Sequence, residues 1–233
     1  MPSKITTHHS RKKRYIIAAS IAITAISIAL YNAAQSNPYK NFFVWNFDSH
    51  ENNTLSDNFV PILKTSSNED VWLVKPDESA QSKPNVLAKL AGNNNKSGYN
   101  IITMQNQIYA NDLKASVKLK IIPKDSVHKS VGLIVRLQDR NHYFVLAADA
   151  KNSLFSLCRA EPERLICTQD VNVNITTDKW HTITAQVSAQ GIAGYLDNKL
   201  LLQRYDQHYI SGQIGLWTKG DSNVYFDDLR IDY

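Results

Sequence analysis

Residues 132–149 have the sequence GLIVRLQDRNHYFVLAAD, in which two apolar runs flank the polar tetrapeptide at 139–142. This pattern is typical of a β-hairpin, with Asp139 opposite His142. Because neighbouring residues of a strand point to opposite faces, one face is wholly apolar and carries Leu133, Val135, Leu137, Phe144, Leu146 and Ala148. The other face is mixed and carries Ile134, Arg136, Gln138, Tyr143, Val145, Ala147 and Asp149. The stretch predicts a sheet with a dry core face and a semi-polar face that borders a groove.

Further short strand patterns lie on either side of this hairpin. Residues 113–122 alternate apolar residues with Lys and Ser and are followed by Pro123, as in a half-buried strand. The dipeptide Asp197-Asn198 separates two more apolar segments and suits a tight hairpin turn. The sequence after residue 35 shows no long amphipathic helix and no internal repeat. We therefore predict an all-β sandwich or jelly roll that forms one domain over residues 42–233.

The first 41 residues differ in composition from the rest of the chain. Residues 1–14 are basic, residues 15–34 are largely apolar and uncharged, and residues 35–41 form a short tether. The 19 residues from Ile16 to Ala34 have the length of a helix that crosses a membrane. We predict one N-terminal transmembrane helix in the cell membrane, with the basic segment in the cytoplasm and the C-terminal domain in the periplasm or outside the cell.

A cleaved signal sequence is the alternative for the same apolar stretch. Tyr31, Asn32 and Gln35 interrupt the small residues near Ala33 and Ala34, where a signal peptidase would require a small-x-small site. An uncleaved anchor is therefore favoured over a removed signal.

The positive charge of the chain belongs to this N-terminal region. Its five basic residues, Lys4, Arg11, Lys12, Lys13 and Arg14, account for the net charge of +5, because the remaining 21 basic residues match 21 acidic ones. A domain with balanced charge gives no general attraction for a polyanion. Nucleic acid is therefore excluded as a predicted partner.

Cys158 and Cys167 are the two cysteines of the chain. They lie on either side of Pro162-Glu163, and they face one another if that dipeptide forms a hairpin turn. In an exported protein this arrangement predicts a cross-strand disulfide. Two reduced cysteines packed in the sheet are the alternative.

Several motifs follow one another along the chain: WNFD at 45–48, WLVK at 72–75, PNVL at 84–87, GLIVRLQD at 132–139, NHY at 141–143, WHT at 180–182, YLDNK at 195–199 and YFDDL at 225–229. This succession resembles the bacterial exported domains of concanavalin A-like, laminin-G-like type, often labelled 3-keto-disaccharide hydrolase or family-16-like domains. The resemblance covers residues 42–233 and implies a concanavalin A-like jelly-roll β-sandwich. Such domains occur both in glycoside hydrolases and in carbohydrate-binding modules, so the resemblance implies a fold rather than an activity.

The glutamates do not match the catalytic pattern of this fold. Retaining jelly-roll glucanases place two carboxylates in a Glu-x-Asp-x-x-Glu pattern on one strand, so that both face one groove. None of the five glutamates of the chain starts this pattern: Glu51, Glu69, Glu78, Glu161 and Glu163. We therefore predict that the domain is not an enzyme.

A binding groove is predicted on the mixed face of the hairpin. Arg136, Gln138 and Tyr143 share that face, and alternation in residues 213–219 directs Trp217 away from the core. If both strands belong to one sheet, Tyr143 and Trp217 can stack on a sugar ring while Arg136 and Gln138 bind hydroxyl or acidic groups. In the alternative interpretation Arg136 is buried and hydrogen bonded, and the aromatic rings pack against covering loops.

Calcium is a possible cofactor by the same resemblance. In similar folds, acidic residues of the first and last strands approach one another, and Asp48 and Asp228 occupy the corresponding places here. Carboxylate oxygens are the ligands that Ca²⁺ prefers. The alternative is that Asp227 and Asp228 bind backbone N–H groups at a β-bulge.

The predicted function is that of a non-catalytic, membrane-anchored, exported domain that binds a partner, with a glycan in the groove as one ligand. One alternative is an accessory subunit of a membrane protein complex that uses its transmembrane helix and its sheet surface as contacts. A second alternative is a glycoside hydrolase whose carboxylates do not follow the known pattern.

Overall fold

The computed structural model describes residues 39–62, 71–92, 98–105 and 111–233. These residues form fifteen β-strands and no helix, and none of them belongs to a helix that could span a membrane. The predicted transmembrane stretch at 15–34 and the basic segment before it lie outside the described residues. The β-structure belongs to one compact unit, Asn41–Tyr233.

One sheet, called sheet A, has the strand order β13-β12-β11-β6-β15-β4-β3. Strand β4 pairs with residues 224–226 of β15, and β1 pairs with residues 229–232 of the same strand. Its strands are β1 (Phe42–Trp45), β3 (Val71–Pro76), β4 (Asn85–Leu90), β6 (Leu113–Ile121), β11 (Trp180–Ser188), β12 (Gly191–Leu196), β13 (Lys199–Arg204) and β15 (Val224–Asp232). Every pair of neighbouring strands is antiparallel.

The other sheet, called sheet B, has the order β10-β9-β8-β7-β14-β5-β2. Its strands are β2 (Phe59–Pro61), β5 (Tyr99–Met104), β7 (Ser130–Asp139), β8 (His142–Asp149), β9 (Leu154–Glu161), β10 (Arg164–Asn172) and β14 (Gln213–Lys219). These pairs are also antiparallel. The prediction of an all-β two-sheet sandwich is confirmed.

The main core lies between the two sheets and follows from the alternation of the strands. In β6 the apolar residues are buried in this core: Leu113, Ala115, Val117, Leu119 and Ile121. They meet residues of β7 and β8 that the sequence also placed inward, among them Leu133, Phe144 and Leu146. Burial of such side chains stabilises the fold by about 25 cal/mol per Å² of apolar surface removed from water.

The predicted disulfide is present. Cys158 on β9 and Cys167 on β10 are bonded, and they are direct register partners in the two strands. The turn between these strands lies at Pro162-Glu163, as the sequence predicted.

A β-bulge in β7 corrects the predicted faces of the central hairpin. Val135 pairs with Phe144 and Asp139 pairs with His142, so the three residues at 136–138 lie opposite Tyr143 alone. Extra residues in one strand shift the alternation beyond them, and Arg136 takes a positive φ of 53° there. The placement of Leu137 on the core face was therefore wrong, because Leu137 packs with Tyr143 in a cluster outside the main core.

Candidate functional site

The outer face of sheet B is largely apolar and closely packed. Its cluster consists of Ile101, Ile134, Leu137, Tyr143, Val145, Ala147, Cys158, Ala160 and Trp217. Tyr143 and Trp217 share this face, as predicted, but they are only 1% and 2% exposed. Tyr99 stacks on Trp217 with ring centroids 5.1 Å apart. The two rings are therefore part of the packed face and are not open platforms for a sugar.

Burial also fixes the ionisation of Tyr143. Removal from water raises the pKa of the Tyr143 hydroxyl well above its ordinary value, although the Trp217 indole group acts in the opposite direction. The phenol is therefore neutral at physiological pH, and it lies within the packed outer-face cluster.

Arg136 points away from this face, because the bulge redirects its side chain. The guanidinium donates to the backbone carbonyls of Asp206 (2.9 Å), His208 (3.3 Å) and Ser188 (2.8 Å). Burial lowers the pKa of Arg136, while the charge of Asp206 opposes this effect. The position of Arg136 agrees with the alternative interpretation, in which it is buried and hydrogen bonded.

Gln138 is the predicted ligand-binding residue that borders open space. It lines a pocket of about 670 Å³ at the end of sheet B, called here the Gln138 pocket. The pocket lies between β2, β5, β14 and the β7–β8 turn, and its lining consists of Val60, Ile62, Thr103, Met104, Gln105, Gln138, Asp139, Arg140, Asn141 and Gln213. A concave site with apolar walls and a few polar groups is the usual form of a small-molecule site.

Hydrogen bonds hold the polar groups of the pocket in place. Thr103 Oγ1 lies 2.8 Å from Gln213 Oε1, and the Gln138 side-chain amide donates to the carbonyl of Ser211. The Asp139 carboxylate accepts the Asn141 backbone N–H at 2.7 Å and contacts the His142 ring at 2.9 Å. Partial burial acts to raise the pKa of Asp139, but these hydrogen bonds lower it below its ordinary value. Asp139 is therefore ionised and fixed.

Alternation in β14 identifies Gln213 from the sequence, because Ile214 and Leu216 face the core. Thr103 was missed in the sequence. It reaches the pocket because β5 pairs with β14 more than 100 residues away, with Thr103 opposite Gly215. The sequence pattern around Thr103 cannot predict that β5 pairs with so distant a strand.

The structure places the two predicted calcium ligands with different partners. Asp48 Oδ1 accepts the backbone N–H of Asn85 at 3.1 Å, and Asp228 Oδ2 lies 2.8 Å from Lys118 Nζ. Within the described residues, no group of three or more His, Cys, Asp or Glu side chains is arranged to hold a metal ion. Calcium binding by Asp48 and Asp228 stays a prediction.

Asp227 behaves as the alternative interpretation predicted. The register of β15 shifts directly after it, and its carboxylate accepts the backbone N–H groups of Gln81 (2.7 Å), Ser82 (2.9 Å) and Asp228 (2.7 Å). Burial raises the pKa of Asp227, while the hydrogen bonds from Ser82 and Asp228 lower it in part. Asp227 therefore fastens the β3–β4 loop to the outer face of sheet A.

Comparisons with known proteins identify the fold. No family model and no curated protein sequence matches the chain. Among solved structures it is similar to the carbohydrate-binding module CBM66 from Bacillus subtilis, with a TM-score of 0.61, 15% identity and coverage of 76% of this chain and 96% of that one. It is also similar to the cellulose-induced protein Cip1, with a TM-score of 0.59, 12% identity and coverage of 81% of this chain and 96% of that one. For the Bacillus licheniformis β-glucanase the TM-score is 0.55 and the identity is 11%, with coverage of 83% of this chain and 99% of that one. The chain therefore has the concanavalin A-like jelly-roll fold.

Proposed function

We propose that this protein is a non-catalytic, exported glycan-binding domain, anchored in the cell membrane by residues 15–34, and that the Gln138 pocket holds the sugar. The proposal rests on the volume of this pocket, about 670 Å³, and on the polar and apolar residues that line it.

The lining groups suit a sugar. Amide side chains offer both donors and acceptors, as the vicinal hydroxyls of a sugar require, and Gln138, Asn141 and Gln213 supply three of them. The apolar side chains of Val60, which is 38% exposed, and of Ile62 provide a surface for the C–H groups of a ring. Carbohydrate-binding modules and glycoside hydrolases share this fold, so the lining rather than the fold supports binding.

The carboxylates of the pocket favour binding over hydrolysis. Glycoside hydrolysis uses a pair of carboxyl groups about 5–9.5 Å apart across the scissile bond. Among the described lining residues, Asp139 is the one carboxylate, and its partners are Asn141 and His142. An acid held ionised in this way is poorly suited to give a proton to a leaving group.

Export and anchoring rest on the leader and on the cysteines. The apolar stretch at 15–34 follows a basic segment, as in proteins inserted with the positive end inside. The disulfide between Cys158 and Cys167 is typical of an oxidising compartment.

The experiment uses the full-length protein in detergent on an array of neutral and acidic glycans. We expect binding that weakens about fivefold in Asn141→Ala and in Gln213→Ala, since each removes one neutral hydrogen-bonding group. Gln81→Ala is the matched control, because Gln81 is exposed and lies outside the pocket. Absence of glycan binding, or equal binding by all variants, would refute the pocket. Turnover of a bound glycan would refute the non-catalytic assignment.

One observation favours the accessory-subunit alternative. Phe42 is 60% exposed and Val44 is 47% exposed, and both lie on β1 directly after the tether. An apolar strip at this place suits a protein contact beside the membrane. Stoichiometric co-purification of a membrane protein that is lost in Phe42→Ser/Val44→Ser, but retained in Asn141→Ala, would support this function.

A further inference from the structure

We propose a second glycan-binding site on the outer face of sheet A, on the opposite side of the sandwich from the Gln138 pocket. The site is a groove of about 440 Å³ across β11, β12 and β13, called here the Tyr195 groove. Its ligand is an uncharged sugar.

The strand register builds the floor of this groove. Ala193 pairs with Gln186 on one side and with Gln203 on the other. Ile192 and Leu196 face the core, so Ala193 and Tyr195 face outward between them. Neighbouring strands are about 4.8 Å apart, which separates the backbones of the two glutamines by about 10 Å. The small side chain of Ala193 leaves a depression between two amides.

Two tyrosines form the walls of the depression. The Tyr195 hydroxyl donates to Gln186 Oε1 at 3.3 Å, which orients the amide so that its NH₂ group is available to a ligand. Tyr205 also lines the groove and is 65% exposed. An amphipathic ring beside two amides is the combination that meets both faces of a pyranose, its C–H face and its hydroxyl edge.

The charges around the groove favour a neutral ligand. Arg204 is the one charged residue that lines the groove. In the strand register it pairs with the core residue Ile192. Its Nε lies 3.4 Å from the Asp206 carboxylate, which balances the charge. Near the rim, Lys114 pairs with Gln186, and Asp112 accepts the backbone N–H of Ala189 at 3.1 Å. These two exposed charges have opposite signs, so they offset each other. The polar side chains left to contact a ligand are amides and hydroxyls.

The Tyr195 groove does not depend on the proposed Gln138 pocket. The two sites share no residue and no strand, and they lie on the outer faces of different sheets. If both bind, one molecule can hold two glycan chains and link them.

The experiment measures glycan binding by full-length protein in detergent micelles, with an array of uncharged oligosaccharides as probe and calorimetric stoichiometry for each glycan bound. Ala193→Trp fills the floor of the groove, and Gln203→Ala removes one amide. We expect at least fivefold weaker binding in both variants, measured in an Asn141→Ala/Gln213→Ala background that leaves the groove as the remaining site. Unchanged far-ultraviolet circular dichroism shows that each variant is folded.

The outcomes separate the two proposals. Loss of binding in the groove variants, with two sites per wild-type chain, supports the second site. One site per chain that is lost in the pocket variants alone overturns the Tyr195 groove and leaves the proposed function standing. One site that is lost in the groove variants alone supports the groove and refutes the pocket. If no uncharged glycan binds, the groove is refuted.

Discussion

The Arg136 guanidinium donates to the backbone carbonyl of Ser188 at 2.8 Å, and this hydrogen bond links the two sheets. Arg136 lies in the bulge of β7 in sheet B, whereas Ser188 is the last residue of β11 in sheet A. The same guanidinium binds the carbonyls of Asp206 and His208 in the connection between β13 and β14. One buried side chain therefore closes this end of the sandwich.

Arg136→Ala should destabilise the fold strongly. The substitution leaves three backbone carbonyls, one of them in a buried hydrogen bond and two in part-buried ones, without this donor. Loss of hydrogen bonds from a buried charged group costs about 2–4 kcal/mol. Urea unfolding measures the free energy of unfolding. Arg140→Ala is the control, because Arg140 is exposed. This substitution should change the free energy of unfolding by no more than about 0.5 kcal/mol. Equal midpoints for Arg136→Ala and wild type would contradict the structural role.

Asp206 should make stability depend on pH in the acid range. Burial acts to raise the pKa of Asp206, but hydrogen bonds from the backbone and ring of His208, together with the Arg204 contact, lower it below the ordinary value of an aspartate. A carboxyl with a lowered folded pKa stabilises the native state above its unfolded pKa, and this contribution is lost as the pH falls through the folded pKa.

The measurement is the melting temperature of wild type and Asp206→Asn from pH 6 down to about 2. Near pH 6 the wild type should have a higher melting temperature than Asp206→Asn, and this difference in melting temperature should shrink below about pH 4. The exposed Asp125 provides the control, since Asp125→Asn should show a difference that stays small at every pH. A difference for Asp206→Asn that grows with acidity would contradict the assignment.

The disulfide should contribute about 2–3 kcal/mol to stability. Cys158 and Cys167 are nine residues apart, and closing a loop of this length in the unfolded chain removes that much conformational free energy. Reductant should lower the urea midpoint of the wild type and leave a Cys158→Ala/Cys167→Ala variant unchanged. If both proteins respond equally to reductant, the stabilisation arises elsewhere.

The strands and the core were predictable because alternation is a local property. In β6 each apolar residue from Leu113 to Ile121 is buried as expected, and β14 follows the same rule. The faces on which Arg136 and Leu137 lie were not predictable from alternation, because a bulge depends on the partner strand and no glycine marks the positive φ at Arg136. Because of the bulge, the Arg136 side chain contacts Ser188 of the other sheet instead of the predicted groove.

The candidate site could be predicted only in part for a related reason. Alternation placed Gln138, Tyr143 and Trp217 on the mixed face, but it does not report how far that face is covered. Tyr99 comes onto Trp217 through the pairing of β5 with β14. Contacts between distant segments therefore decide which residues of a predicted face reach a ligand.

Thr103→Val should weaken glycan binding without a large loss of stability. Thr103 Oγ1 lies 2.8 Å from Gln213 Oε1 and 2.8 Å from the backbone carbonyl oxygen of Ile214. Valine keeps the shape of the side chain while removing both contacts. Since Gln213 then loses one of the contacts that orient its side chain, we expect about fivefold weaker binding, equivalent to about 1 kcal/mol. Titration of the array-selected glycan measures this change.

Thr218→Val is the matched control for that substitution, because Thr218 lies on β14 and is fully buried. Its Oγ1 has no hydrogen-bond partner among the described residues, so valine removes a buried hydroxyl that gains nothing from its position. We expect unchanged glycan binding and a melting temperature equal to or above that of the wild type. If Thr103→Val and Thr218→Val reduce glycan binding equally, packing of the sheet B face rather than the orientation of Gln213 governs the pocket.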